Sequence, residues 1–187
     1  MKSLVALALL FLCFLVFLPA VVAQNKSKKI HLLPYDDIDG YKVLSSIIDA
    51  DTNKLRSESV SIFHQTLSED AFREVRTQCS SRFPTEFQSA LADFDKKAKT
   101  KLLLRQEFFS QKGYRFVETT VGVQTGTYSV SAVGFDESKS HAIVLVEYLV
   151  RPARSMFLGG GTTFYLLRRT QTGWQEAADI PKCGRIY

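Results

Sequence analysis

The apolar positions begin with a nearly continuous run at residues 4–18. Lys2 precedes this run, and Pro19 and small residues as far as Ala23 follow it. A charged start, an apolar middle and a small-residue site are typical of a cleavable secretory signal. The alternative is an uncleaved anchor, because about 20 apolar residues can span a bilayer. The predicted segments are a signal peptide at 1–23, a flexible leader at 24–34 and a single domain at 35–187.

The first half of this domain has apolar residues at helical spacing. An acidic stretch at 36–39 precedes such a pattern and predicts a helix whose first turn is capped by carboxylates. Two capping-box patterns, at 66–69 and 85–88, predict two further helices. Between the first helix and the second, residues 59–65 predict a short strand. The apolar residues that share a face of the last helix are Phe87, Leu91, Phe94 and Ala98.

The last third of the chain has strand patterns separated by turns. The predicted strands are 128–135, 141–150, 162–169 and 174–178. Residues 141–150 are almost all apolar, which predicts a central strand buried on both faces. Residues 152–161 predict a glycine-rich loop that ends in a flexible turn at 159–161. The expected fold class is α+β, with N-terminal helices packed on a C-terminal antiparallel β-meander.

Four short motifs mark this C-terminal region. They are Val133-Gly134-Phe135, Gly159-Gly160-Gly161, Tyr165-Leu166-Leu167 and Gly173-Trp174. In this order they resemble a group of exported bacterial proteins of unassigned function. The resemblance implies a bacterial envelope location and no particular activity. Members of the group often carry cysteines in the glycine-rich loop, but residues 154–158 contain none. The order of helices followed by a sheet is also similar to the cone-shaped fold of the nuclear transport factor family, as an analogy of fold only.

Two cysteines, Cys79 and Cys183, lie beyond the predicted signal. In an oxidising compartment an even pair predicts a disulfide, and two independent buried thiols are the alternative. Cys13 follows Leu12 rather than a small residue, so we do not expect it to carry a lipid anchor.

The charged residues are interspersed, although the net charge is +5. This favours a solvated mixed surface over a nucleic-acid interface, and we expect no nucleic-acid partner. We also expect no stable membrane insertion once the signal is removed. His31, His64 and His141 do not have metal-ligand spacing, and a strand rather than a helix follows the three glycines. No metal or cofactor is therefore predicted.

Candidate contact residues lie in the glycine-rich loop. Met156, Phe157 and Leu158 are apolar and flanked by Arg151 and Arg154, which predicts a weak binding surface or a lid over the sheet. The aromatic residues that either line a pocket or pack in the core are Tyr148, Phe157, Tyr165 and Trp174.

These patterns favour a secreted or periplasmic domain that binds an unidentified protein or small ligand without catalysis. A structural envelope protein with no specific ligand fits the same patterns. The enzymatic alternative is a small hydrolase with a cleft between sheet and helices. His64, Glu147 and Arg168 are its candidate residues, because polar groups on strands can point into a cleft. No nucleophile-elbow motif supports it.

Overall fold

Helices and strands alternate in the first half of the chain, and strands fill the second half. The computed structural model describes residues 31–55, 60–109, 114–118, 126–150 and 159–186. The helices are α1 (Ile38–Leu55), α2 (Glu69–Ser80) and α3 (Gln88–Lys97). The strands are β1 (Leu33–Pro34), β2 (Val60–Phe63), β3 (Leu102–Leu103), β4 (Tyr114–Val117), β5 (Thr127–Val130), β6 (Gly134–Phe135), β7 (His141–Val150), β8 (Gly159–Thr170), β9 (Gly173–Glu176) and β10 (Cys183–Ile186).

Eight strands form one mixed sheet with the order β10-β8-β7-β5-β2-β4. β6 pairs with β7 beyond the end of β5, and β9 pairs with β8. Strands β5 to β10 pair in antiparallel fashion, so the α+β class and the C-terminal meander are confirmed. The sheet as a whole is not antiparallel, because β2 runs parallel to both β4 and β5. β1 and β3 form a separate parallel pair.

Helices cover both faces of the sheet. Along β7, Ala142, Val144 and Val146 belong to the core beneath α1, whereas Ile143 and Leu145 belong to the core beneath α2 and α3. The prediction that this strand is buried on both faces is therefore confirmed, because alternate side chains of a strand point to opposite sides. We call the two sides the α1 face and the α2–α3 face.

The three predicted helices are present, but their first turns differ from the predicted caps. Asp37 Oδ1 accepts a hydrogen bond of 3.1 Å from Gly40 N, as the acidic start of α1 predicts. The predicted capping boxes start at Thr66 and Thr85, but the N-caps of α2 and α3 are Ser68 and Phe87, and neither makes a side-chain cap hydrogen bond. Thr66 Oγ1 instead accepts from Leu102 N at 2.9 Å, so its hydroxyl joins two loops rather than capping α2.

Two strand boundaries also differ from the prediction. The predicted strand at 128–135 is two strands, β5 and β6, separated by residues 131–133. The predicted turn at 159–161 is the start of β8. A Cβ atom on Gly160 would lie 2.2 Å from the Tyr148 carbonyl oxygen, so glycine there permits close backbone approach within the β7–β8 pair.

Cys79, near the end of α2, and Cys183, at the start of β10, form a disulfide with their sulfur atoms 2.06 Å apart. The predicted disulfide is confirmed, and the alternative of two independent thiols is excluded. The bond joins a helix on the α2–α3 face to an edge strand of the sheet.

The predicted signal peptide at 1–23 and the leader as far as residue 30 lie outside the described residues. Residues Leu32–Tyr187 belong to one structural unit. Within the described part of the chain, no helix is both long and apolar enough to cross a membrane.

Candidate functional site

The α1 face carries a concavity of about 380 Å³ at one end of the sheet. A row of directly paired residues crosses it on four adjacent strands: Tyr128, Tyr148, Gly161 and Ile186. Side chains of paired residues stand on the same face of a sheet. The row therefore places two phenol rings and one apolar side chain on this face, and Gly161 adds no side chain between Tyr148 and Ile186.

Tyr165 and Asp51 close the concavity on the side nearest α1. Tyr165 lies on β8 four residues beyond Gly161, so both belong to the same face. Its hydroxyl donates a hydrogen bond of 3.2 Å to Asp51 Oδ2 on α1. We call this site the tyrosine pocket, defined by Asp51, Tyr128, Tyr148, Gly161, Tyr165 and Ile186.

The backbone around the pocket fixes the position of the Tyr148 ring. The ring centroids of Tyr128 and Tyr148 are 4.8 Å apart and tilted by 40°. A Cβ atom on Gly126 would lie 2.2 Å from the Tyr148 hydroxyl oxygen. Glycine at that position therefore lets the Tyr148 ring lie over the backbone, beside Tyr128.

The ionisable groups among the described residues of the tyrosine pocket are three phenols and one carboxylate. Burial, followed by the negative charge of Asp51, raises the pKa of each of Tyr128, Tyr148 and Tyr165 above its ordinary value. The phenols are therefore uncharged at neutral pH. Among the described residues that line the pocket, Asp51 is the one charged side chain.

A smaller concavity of about 240 Å³ lies on the other side of Tyr165, between α1 and β9. Trp174 lines it and packs on Phe135 with ring centroids 5.4 Å apart. Of the aromatic residues predicted to line a pocket, Tyr148 and Tyr165 line the tyrosine pocket and Trp174 lines its neighbour. Phe157 lies outside the described residues.

The α2–α3 face carries a separate concavity of about 300 Å³, which we call the polar pocket. His64, directly after β2, lines it together with Ser129 and Glu147, which are paired across β5 and β7. Two of the three predicted hydrolase residues thus meet in one pocket, and Ser129 is a polar neighbour that the sequence analysis missed. Side chains alternate between the two faces of the sheet along β5, so Ser129 lies on the opposite face from Tyr128. This alternation is the sequence signal that could have identified Ser129.

Arg168 does not belong to the polar pocket. Glu147 is paired with Thr162, and Arg168 lies six residues further along β8, or about 20 Å at the usual rise per residue. Its guanidinium group binds Glu86 at 2.6 Å and Asp179 at 2.5 Å. The structure therefore separates Arg168 from the other two hydrolase candidates.

The remaining candidate residues do not form a site in the described part of the chain. Met156, Phe157, Leu158, Arg151 and Arg154 all lie outside it. His31 is exposed, and His141 Nδ1 lies 3.2 Å from Asp136 Oδ2 at the start of β7. In the five described ranges, no group of His, Cys, Asp or Glu side chains is arranged to hold a metal ion.

The chain matches no protein-family model, no curated protein and no solved structure. The resemblance of the C-terminal motifs to exported bacterial proteins therefore stays a prediction, and the case for function depends on the two pockets.

Proposed function

We propose that this protein is an exported domain that binds a small ligand in the tyrosine pocket without catalysing a reaction. The observation that carries the proposal is a concavity of about 380 Å³ lined by three phenol rings and one carboxylate. Small-molecule sites have volumes of about 300–1,000 Å³ and combine apolar or aromatic walls with few polar groups. The tyrosine pocket has this composition.

A ligand screen tests this proposal. We expect ligand-observed NMR with a library of small fragments to give hits on the wild-type protein that disappear with Tyr148→Leu. Phe116→Leu is a matched control, because Phe116 is a half-buried aromatic residue on β4 that does not line the pocket. The same hits on all three proteins, or no hits on the wild type, would contradict binding at this site.

Export is the second part of the proposal. The pattern of the first 23 residues supports it, and the disulfide is compatible with an oxidising compartment. The bacterial envelope is proposed from the motif resemblance alone. N-terminal sequencing of the protein recovered from its native compartment is expected to begin at Gln24. Recovery from the cytosol with Met1 in place would contradict export.

The glycine-rich loop supports a protein partner as the other form of binding. Met156, Phe157 and Leu158 remain the predicted contact residues. Replacing all three with serine is expected to leave the circular dichroism spectrum unchanged and to abolish recovery of a partner in pull-down experiments. Recovery of the same partner by the triple variant would remove this role from the loop.

A hydrolase is the second candidate function, and one observation favours it. His64, Ser129 and Glu147 line the same polar pocket, and together they supply the residue types of a nucleophile, a base and a carboxylate that orients the base. The test is hydrolysis of nitrophenyl esters by the wild type and by Ser129→Ala and His64→Ala. Turnover that both substitutions abolish would support the hydrolase. Absence of turnover in the wild type would leave the binding proposal alone.

A further inference from the structure

The tyrosine pocket has the composition of a cation site. We propose that its ligand is a small organic cation whose alkylammonium group lies among the rings of Tyr128, Tyr148 and Tyr165 and is neutralised by Asp51. This inference rests on the proposed function, since it names the chemical class of the ligand that the pocket would bind.

The ring geometry supports a cation over a neutral or anionic ligand. The face of an aromatic ring carries negative potential, and an ammonium group within about 6 Å of the ring centroid is attracted to it. Tyr128 and Tyr148 are neighbouring rings with centroids 4.8 Å apart, and Tyr165 lines the same pocket from a position further along β8. An anion in the same place would be repelled by Asp51.

The carboxylate supports the same class of ligand. Asp51 receives one hydrogen bond from the pocket, from the Tyr165 hydroxyl, and a carboxylate has about four acceptor positions. A neutral apolar ligand would displace water from the Asp51 carboxylate without replacing its hydrogen bonds, and this desolvation costs free energy. An ammonium group would supply the opposite charge as it displaces the water.

The chain already contains one ammonium group held in this way. Lys182 Nζ lies 4.5 Å from the ring centroid of Tyr165 and 3.0 Å from Glu176 Oε1. One phenol ring and one carboxylate thus bind one ammonium group beside the pocket. Because Glu176 neutralises Lys182, that lysine does not cancel the negative charge of Asp51. The tyrosine pocket offers the same combination, with Tyr128 and Tyr148 added to Tyr165 and Asp51 as the carboxylate.

The three phenols of the pocket stay uncharged across the physiological pH range. Burial and the charge of Asp51 both raise the pKa of the three phenols, so these do not ionise near neutral pH. A methylated ammonium group suits a pocket lined by aromatic rings, because aromatic side chains are the usual partners of quaternary ammonium groups in proteins.

Choline and dimethylbutanol, its uncharged isostere with carbon in place of nitrogen, separate charge from shape. We expect isothermal titration calorimetry on the folded wild-type protein to show choline binding at least about tenfold tighter than the isostere. Asp51→Asn and Tyr148→Leu should each weaken choline binding by about tenfold or more. Asp70→Asn is the matched charge control, because Asp70 is an exposed aspartate on α2 and should leave binding unchanged.

The outcomes distinguish this inference from the proposed function. Equal binding of choline and its isostere, with both lost in Tyr148→Leu, would keep the ligand pocket and overturn the cation. Choline binding that survives Asp51→Asn would also overturn it, and this variant decides the result if Tyr148→Leu fails to fold. Absence of choline binding while fragments still bind would overturn the inference alone. Absence of both would overturn the inference and the proposed function together.

Discussion

The hydroxyl group of Tyr41 connects three segments of the chain inside the core. It donates a hydrogen bond of 2.8 Å to the Tyr35 carbonyl oxygen and accepts one of 2.8 Å from Arg105 N, and the residue is 1% exposed. Tyr41→Phe would leave a buried carbonyl and a buried N–H without this partner. We expect urea denaturation to show a free energy of unfolding lower by about 1–3 kcal/mol.

Tyr165→Phe is the control for this prediction. The Tyr165 hydroxyl bonds a carboxylate at a half-buried position, where water can replace it, so we expect a loss below about 1 kcal/mol. Equal losses in the two variants would show that the burial of the Tyr41 hydroxyl has no special effect.

A second prediction at the residue scale concerns Asp39. Hydrogen bonds from Lys139 at 2.8 Å and Lys42 at 3.1 Å lower the pKa of its carboxyl group from 3.8 to about 2. A lowered pKa in the folded state means that the ionised form stabilises the fold above about pH 4 and that this stabilisation is lost as the pH falls through about 2. NMR titration of Lys139→Ala should find the Asp39 pKa closer to 3.8. An unchanged value would assign the shift to Lys42 or to the helix start.

At the scale of elements, α3 packs directly on β6 through a glycine. A Cβ atom on Gly134 would lie 2.4 Å from both Ala90 O and Phe94 N, which are backbone atoms of α3. Gly134→Ala therefore requires the helix to move, and we expect thermal or urea denaturation to show a loss of about 1–3 kcal/mol. Gly159→Ala in β8 is the matched control, because no atom lies within 4 Å of its added Cβ. A Gly134→Ala protein as stable as this control would contradict the close packing.

The sequence predicts well those elements whose apolar residues follow the period of the helix or strand, because one face or both faces of the element pack in the core. The face of α3 that carries Leu91 and Phe94 is buried, as is Phe87 just before the helix, and β7 is buried throughout residues 142–146. Parallel pairing of β2 with β4 and β5 was not predictable, because these strands are distant in sequence and no turn joins them. The glycines at 159–161 predicted a turn, but they begin β8. A local sequence pattern does not distinguish a glycine that a turn requires from a glycine that permits close approach of a neighbouring strand.

The site was predicted only in part for the same reason. Polar residues on strands pointed to His64 and Glu147, which do share a pocket, but the same argument included Arg168 because it contains no information about position along a strand. The tyrosine pocket depends on the register that aligns Tyr128 with Tyr148 and Tyr148 with Gly161. Register between β5 and β7 cannot be obtained from the sequence, because β6 and a turn intervene.

At the scale of the whole molecule, the two pockets lie back to back on the same end of β7. Val146 and Tyr148 face the tyrosine pocket, and Glu147 and Leu149 face the polar pocket. Among the described residues, this end of β7 is where side chains on both faces of the strand line a concavity. A substitution on one face can therefore disturb the other pocket, and variants of each should be tested for ligand binding in both.

The disulfide acts on the whole chain, because Cys79 and Cys183 are separated by 104 positions. In the chain-entropy model, closing a loop of this length lowers the entropy of the unfolded chain and so raises its free energy by about 4–5 kcal/mol. We expect the free energy of unfolding of the Cys79→Ala/Cys183→Ala protein to be lower by about this amount, while the far-ultraviolet circular dichroism of its folded state stays the same.

Reduced wild-type protein is the control for the volume that the sulfur atoms fill, because both cysteines are buried and alanine leaves space at each position. If the chain-entropy term dominates, reduction alone should reproduce most of the loss, and the two alanines should add only the cost of the space they leave. A double variant far less stable than the reduced protein would assign the effect to packing between α2 and β10. Two free thiols in the denatured, unreduced protein would contradict the bond itself.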